Sequence, residues 1–367
     1  MYMPRYEKRN YRYDDVFPKA HGFKEANEIR VFETRDIVKR LGVLSPNRVF
    51  INNYPMSTPP AVFNASLIIE GDEAKVYARI IVGYYKYVSG IVEITIPLDD
   101  IFSGNINLNY YASRIIIAPS TKYDLWGAED PRAYRIGETF YMTYTGRTIN
   151  YFNPVIRIER TLPVTAIREL EDKWRKVFVH RLPGELEEAM VSNKDAYIVV
   201  VGDRKYFFHR PHMTDENYYL LVGREWKRIL EDELTEILVD NNIEVMRPLP
   251  REDKLGWSTP AIRIGKNKVL AFIHGVDREI GAYRIFAAEI ELSNGEVTVT
   301  AVTPRYIMEP RESYEVFGDR PYTIFPCGVE MLDDKLLLTY GAGDFMIGFG
   351  LIDLDELYGE LDKGRIY

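Results

Sequence analysis

The 367-residue chain is predicted to be all-β, a single five-bladed β-propeller with a few peripheral helices. Three observations carry that reading. Tyr, Phe, Val and Ile fall into period-two runs broken by Gly, Asp and Asn, the pattern of strands and tight turns. Five of the resulting hairpins look alike. Their turns, near Gly71, Gly137, Gly202, Gly265 and Asp333, recur at a period of roughly 65 residues, longer than common propeller blades of about 40 to 50 but of the same kind. Radial repetition of small sheets leaves few open strand edges, whereas a sandwich shows turns every 8 to 12 residues, roughly, without a longer period.

In chain order the hairpins are "NASLIIEGDEAKVYAR" from Asn64, "DPRAYRIGETFYMTYTG" from Asp130, "KDAYIVVVGDRKYFFHR" from Lys194, "TPAIRIGKNKVLAFIHG" from Thr259 and "GVEMLDDKLLLTYGAGD" from Gly328. Helical patterns are few: residues 33–44, 165–178, 224–240 and 353–361, mostly peripheral. On this reading residues 1–50 are an N-terminal extension packing on the propeller, 51–354 are the propeller and 355–367 form a C-terminal helix and tail.

An apolar share of 46% and a charged share of 28% are those of an ordinary globular protein. The formal net charge of -8 argues against nucleic acid or an anionic membrane as partner, because both need a basic footprint. The single cysteine, Cys327, excludes an intrachain disulfide framework. The N-terminal "MYMPRYEKRNYRYDD" lacks the apolar core of a signal peptide, and no apolar run approaches the roughly 20 residues of a membrane span. A cytoplasmic location is therefore expected. The absence of Gln, beside abundant Glu, Arg and Lys, resembles the depletion of thermolabile amides in thermophiles.

The two strand ends opposite a hairpin turn lie side by side. In these five hairpins those ends are polar: Asn64 and Arg79, Asp130 and Tyr144, Lys194 with Asp195 and His209 with Arg210, Thr259 and His274, Gly328 and Asp344. If the hairpins are equivalent and nearest the axis, these groups converge on one mouth of the central channel, the usual place for a ligand. The plainer reading is that they are solvated strand ends, with the cations paired to Asp195 and Glu129.

The convergent reading assigns chemistry. Asp130 is the proton donor; its neighbour Glu129 would raise its pKa by like-charge repulsion, and an inward-pointing Arg132 would oppose that. Pro131 is expected to restrict Asp130 to an extended backbone. Lys194, Arg210 and His274 form a cationic set suited to an oxyanion such as phosphate. Asn64, Arg79, Asp344, Tyr283 and Glu129 can hydrogen-bond the hydroxyls of a sugar. An acid facing an anion site across a polyol pocket suggests glycosyl transfer to phosphate, with inorganic phosphate as co-substrate, no other cofactor and no metal.

These residues also carry a resemblance. "EDPR" with "FYMTYTG" (Glu129 to Gly146), "NKDA" with "FFHRP" (Asn193 to Pro211), "STPAI" with "FIHGV" (Ser258 to Val276), "EPRESYEVFGDRPYTIFPCG" (Glu309 to Gly328) and "LTYGAGD" (Leu338 to Asp344) resemble glycoside hydrolase family 130, the β-mannoside phosphorylases and β-mannosidases. The resemblance implies a five-bladed propeller. It implies Asp130 as general acid, acting through a hydroxyl of the mannosyl ring, with Asn64, Arg79 and Asp344 holding the mannosyl unit. Lys194, Arg210 and His274 match basic positions that bind phosphate in the phosphorylases and are lacking in the hydrolytic branch. The implied reaction is a single-step inversion that gives α-mannose 1-phosphate from a β-mannoside. Two stretches depart from the family pattern: "YIVVVGDRK" after "KDA", and the insert 147–192, which carries no matching motif.

Other readings differ in what they require. An inverting β-mannosidase needs a second carboxylate about 6.5–9.5 Å from the acid, for which Asp195 is the nearest match. A non-catalytic carbohydrate-binding propeller would lack the acid, and a furanosidase-type propeller hydrolase would need three separated carboxylates. Small oligosaccharides and phosphate are the expected partners, and a homo-oligomer is left open.

Overall fold

A computed structural model describes residues 13, 16–83, 87–150, 152–168, 173–231 and 234–367. The N-terminal stretch weighed against a signal peptide lies, Tyr13 apart, outside the described residues, as do residues 169–172 and 232–233 within two of the helical patterns. Five antiparallel-rich sheets follow one another along the chain as the blades of a propeller. The strand nearest the axis is the end strand of its sheet in each of four: Val62–Glu70, Ala128–Ile136, Met190–Val201 and Ile324–Leu332. In the fourth blade Glu252–Trp257 and the short Ile262–Arg263 share that position, both pairing with Lys268–Asp277.

The apolar residues that suggested strands are buried between blades. Tyr197, Phe208, Trp257, Ile273 and Phe286 pack together between the third and fourth, and Leu67, Val76, Ile94, Leu337 and Phe349 between the first and fifth. Each blade alone could hide only one face of its sheet, so the ring is the unit that folds.

The first three helical patterns do not form helices. Residues 165–168 and 174–178 lie in the strands Thr161–Arg168 and Trp174–Arg181, and residues 225–231 and 235–240 are the strands Glu225–Glu231 and Thr235–Asp240; both pairs extend the second blade to six strands. Their charged residues favour helices in isolation, but Val164, Ala166, Val177, Val179, Ile237 and Val239 are buried at alternate positions, and packing overrides propensity. Residues 353–361 do form a helix, Leu354–Asp362, whose N-cap Asp353 accepts from the backbone N–H of Glu356. Among the described residues no helix is long and apolar enough to cross a membrane.

The stretch 33–44 also departs from its helical expectation, with a larger consequence. Lys39–Leu44 is the outer strand of the fifth blade, antiparallel to Met346–Asp353, so the early and late parts of the chain meet in one sheet. Before it, residues 16–38 run as a strap across neighbouring blades through bridges of Lys19 to Glu244, His21 to Thr298 and Thr34 to Tyr306. Arg30 pins the strap. Its guanidinium is buried against the carboxylate of Glu252 and lies 3.8 Å from the centre of the Phe286 ring. Arg30→Met should lower stability by about 3–5 kcal/mol in a denaturant titration, because Glu252 then stays buried without its cation. Arg30→Met with Glu252→Leu should recover most of that loss, and no recovery would argue against a charge effect.

Candidate active site

Three blades use one backbone device to aim side chains at the axis. The pairing of the first two strands slips between Phe63 and Ser66, between Glu129 and Arg132, and between Lys194 and Tyr197. The first residue skipped is Asn64 (φ 47°), Asp130 (φ 50°) or Asp195 (φ 56°), each left-handed. Such a bulge re-aims a side chain, and Asn and Asp are the non-glycine residues that tolerate this backbone best. Asp130 is therefore not extended, contrary to the expectation from Pro131. The same conformation recurs at Asn64 and Asp195, where no proline follows, so the bulge sets it.

The bulged residues meet at one mouth of the ring, around a cavity of about 290 Å³. Of the residues predicted from the sequence, Asn64, Arg79, Asp130, Lys194, Arg210, Tyr283 and Asp344 line it. Asp195, Lys254, Asp319 and Arg320 share the wall, with Tyr87, Tyr218 and Phe325 among its aromatic parts. Glu129 and His274 are fully buried behind it. Tyr144, His209 and Thr259, also polar strand ends, are buried too; Tyr144 donates to Asp124 at 2.7 Å, and His209 bonds with Asn193 and Asn242.

Asp130 is held from two sides. The Asn64 amide donates to its Oδ1 at 2.7 Å and Arg79 Nη1 to the same oxygen at 3.1 Å. Gly341 makes the Asn64 contact possible, since a Cβ there would stand 1.8 Å from Asn64 Oδ1. Arg79 Nη2 also donates to Glu129 at 2.8 Å, Arg147 approaches Glu129 at 3.4 Å, and Lys194 Nζ donates to it at 3.1 Å. Burial alone would raise the Glu129 carboxyl, but Arg79, Lys194 and Arg147 together hold it down at about 2. Glu129 is thus an anion beneath the floor that orients one cation toward Asp130 and another toward the neighbouring blade.

Asp195 plays the same part on the other side. Arg210 Nε donates to it at 2.7 Å and Arg132 Nη2 at 3.0 Å. Burial opposes its charge, yet Arg210 and Arg132 keep it well below the usual carboxylate range. Arg132 does not reach the carboxylate of Asp130 but donates to its carbonyl at 2.9 Å and to those of Trp257 and Ser258. His274 stands 3.7 Å from Asp195, where Gly256 leaves space for its ring. Burial pulls His274 down to about 3, so at neutral pH it supports Asp195 as a neutral ring and adds no positive charge.

A further wall cation is Lys254, on the inner strand of the fourth blade. Its ammonium and the Arg210 guanidinium both lie 5.0 Å from the Tyr218 ring centre. Burial, reinforced by Arg210 and Arg320, pulls Lys254 down to about 7. Opposite, burial pushes Asp344 up to about 6 against the pull of Arg79 and Arg320. Five cations and four carboxylates line the cavity; with Glu129, Arg132 and Arg147 behind the wall the balance is seven to five. An excess of positive charge in a protein of net charge -8 marks a place for an anion.

Sequence reasoning missed Lys254, Asp319 and Arg320. Asp319 and Arg320 stand in "FGDRPYT", a stretch already singled out, but between two hairpins instead of at a hairpin end. Lys254 stands in "REDKLGW", just ahead of the fourth hairpin as it was drawn, and the missed signal was that this hairpin has an extra strand before it.

Comparison with known proteins agrees with this architecture. A family model described as beta-1,4-mannooligosaccharide phosphorylase matches residues 28–362. A beta-1,2-mannobiose phosphorylase of a Thermoanaerobacter species is 25% identical over 328 residues, which span 84% of this chain and 97% of that protein. A 1,2-beta-oligomannan phosphorylase of the same organism is 25% identical over 251 residues, 66% of this chain and 73% of its own. Among solved structures, the beta-1,2-mannobiose phosphorylase of Listeria innocua, in complex with beta-1,2-mannobiose, superposes with a TM-score of 0.66 at 16% identity, covering 89% of this chain and 99% of that one. At that identity the likeness speaks to the fold.

Proposed function

Because the chain belongs to glycoside hydrolase family 130, the family described as beta-1,4-mannooligosaccharide phosphorylase, we propose that it is an inverting phosphorylase that cleaves a β-mannoside with inorganic phosphate. The observation that carries this reading is the cationic wall of Lys194, Arg210 and Lys254 beside Asp130 in a single cavity. Arg210 offers a guanidinium whose Nε is already fixed by Asp195, leaving its outer nitrogens for two oxygens of a phosphate. Lys194 and Lys254 add point charges, and His274 stays behind as a neutral prop for Asp195.

In the proposed reaction the mannosyl ring rests against Asn64, Arg79, Tyr283 and Asp344. A phosphate oxygen attacks the anomeric carbon from the face opposite the glycosidic oxygen. The bond from carbon to leaving oxygen breaks as the new one forms, and the leaving oxygen takes a proton supplied by Asp130 through a hydroxyl of the mannosyl ring. The products are α-mannose 1-phosphate and the shortened sugar. Hydrolysis would instead need a carboxylate free to take a proton from water. Asp195, the nearest match in the sequence, is tied to two arginines and held strongly ionised, which makes it a poor base.

Incubation with α-mannose 1-phosphate and acceptor sugars tests the proposal by the phosphate released. No phosphate release with any acceptor sugar, together with cleavage of mannobiose by water, would sink it in favour of the hydrolase. A pH series gives a finer check. Lys254 is charged below about pH 7 and loses its proton as pH rises through that value, so the KM for phosphate should climb between about pH 6 and 8.5. Lys254→Arg stays charged throughout, and its KM should climb less over the same buffers. Identical slopes would remove Lys254 from the anion site.

A further inference from the structure

We infer that Phe317 and Tyr322 form an outer sugar subsite, on which the leaving-group end of a neutral mannooligosaccharide chain lies while its terminal unit occupies the cavity. The inference rests on the mannoside reading above and adds what receives the rest of the substrate. At about 290 Å³ the cavity is at the low end for small-ligand pockets. A mannosyl ring and a phosphate fill such a volume, so the next pyranose must sit at the rim.

One segment builds that rim. Residues 310–323 supply Asp319, Arg320 and Thr323 to the cavity wall, and the same segment holds Phe317 73% and Tyr322 43% exposed. Single exposed apolar side chains are ordinary on protein surfaces. These two differ because the backbone beneath them is fixed. The buried carboxylate of Glu315 accepts from Arg40 Nε at 2.9 Å, from the Tyr340 hydroxyl at 2.7 Å and from the backbone N–H of Arg311 at 2.8 Å. The Phe317 N–H donates to the Ser313 carbonyl at 2.8 Å and that of Arg320 to Gly343 at 2.9 Å. The Tyr87 hydroxyl, from the first blade, donates to Asp319 at 3.1 Å and ties the segment across the mouth.

Tyr322 has φ 55°, a left-handed conformation that a bulky side chain adopts only under constraint. Its carbonyl accepts from the N–H of Tyr283, itself a cavity residue, at 3.0 Å. Strain of this kind collects where a side chain must be presented in one direction. The result is two exposed aromatic residues on a fixed segment, Phe317 two positions before the wall residue Asp319 and Tyr322 next to the wall residue Thr323. The axial C–H groups of a pyranose carry slight positive charge and stack on the negative face of an aromatic ring, while Asp319 and Arg320 lie at the inner edge to meet its hydroxyls.

The test runs the reaction toward synthesis, with α-mannose 1-phosphate as donor and mannose, mannobiose or mannotriose as acceptor. The parent protein is expected to show an acceptor KM that falls as the acceptor lengthens. Phe317→Ala should raise the KM for mannotriose about tenfold while the KM for α-mannose 1-phosphate moves less than about twofold. Tyr322→Asn, whose side chain tolerates the left-handed backbone, should do the same. An unchanged acceptor KM, or equal losses for donor and acceptor, overturns the subsite. Calorimetric titration of mannotriose in phosphate-free buffer needs no turnover. Binding about tenfold weaker to Phe317→Ala than to the parent supports the subsite even if the parent releases no phosphate, a result that sinks the phosphorolytic reading alone. Equal binding by both proteins overturns the subsite.

Discussion

Asp130→Asn is expected to keep its fold and to lose about 10³-fold or more in kcat, with sugar and phosphate still bound. Asparagine fits the left-handed backbone at position 130 as well as aspartate does. It can still meet the Asn64 amide and one nitrogen of Arg79, whose other nitrogen remains on Glu129. What is lost is the proton, so the barrier to breaking the glycosidic bond rises while the ground state changes little. Initial rates of phosphate release would show this as a fall in kcat with KM values inside about threefold. Full activity in the Asn variant would exclude Asp130 as the acid. A fall confined to natural sugars, with a nitrophenyl mannoside cleaved almost normally, would be the clearest support, because that leaving group needs no proton.

Arg210→Met should produce the second large effect, and in a different parameter. Removing the guanidinium takes away the bidentate donor to phosphate, and kcat/KM for phosphate should fall about 10²-fold, mainly through KM. Asp195 would then keep only Arg132 as a strong partner, and the protein should also lose stability, on the order of a few kcal/mol. The two losses separate in Arg210→Lys, which keeps a positive charge beside Asp195 without the planar fork, so thermal stability should stay nearer that of the parent while phosphate affinity does not. A folded Arg210→Met protein with an unchanged phosphate KM would move the anion site elsewhere. Recovery of phosphate affinity along with stability would mean that Arg210 acts through the fold alone.

Much of the architecture was legible because it is repeated. A hairpin seen once is common, but five with the same turn chemistry and polar open ends define a ring with a mouth, and the wall residues Asn64, Arg79, Asp130, Lys194, Arg210 and Asp344 follow from that alone. Features outside the repeat were harder to read. The strands at 161–181 and 225–240 are rich in Glu, Arg and Lys, whose local preference for helix is overruled only by neighbours distant in sequence. The bulge at Asp130 could not be separated from the effect of Pro131 until the same turn of the chain appeared at Asn64 and Asp195. His274 stands at a hairpin end like the others, yet its ring turns toward Asp195 because Gly256 makes room there, a detail of packing that no strand pattern encodes. Lys254 and Arg320 reach the cavity from segments that adjoin hairpins, and only the closed ring brings them in.

The strand that completes the fifth blade has a consequence for how this molecule is made. Lys39–Leu44 finds its partner strand in Met346–Asp353, about three hundred residues later. A ribosome adding about 5–20 residues per second needs on the order of 15–60 s to cover that distance. For that interval the strand has no sheet edge to join, while four blades can form and the strap before it can already bridge to Glu244 and Thr298. Asp319, Arg320 and Asp344 belong to the last part of the wall to emerge. Closure of the ring and completion of the cavity are therefore late, nearly simultaneous events, and a nascent chain halted before the fifth blade would present a half-built pocket and an unpaired strand to whatever chaperone meets it first.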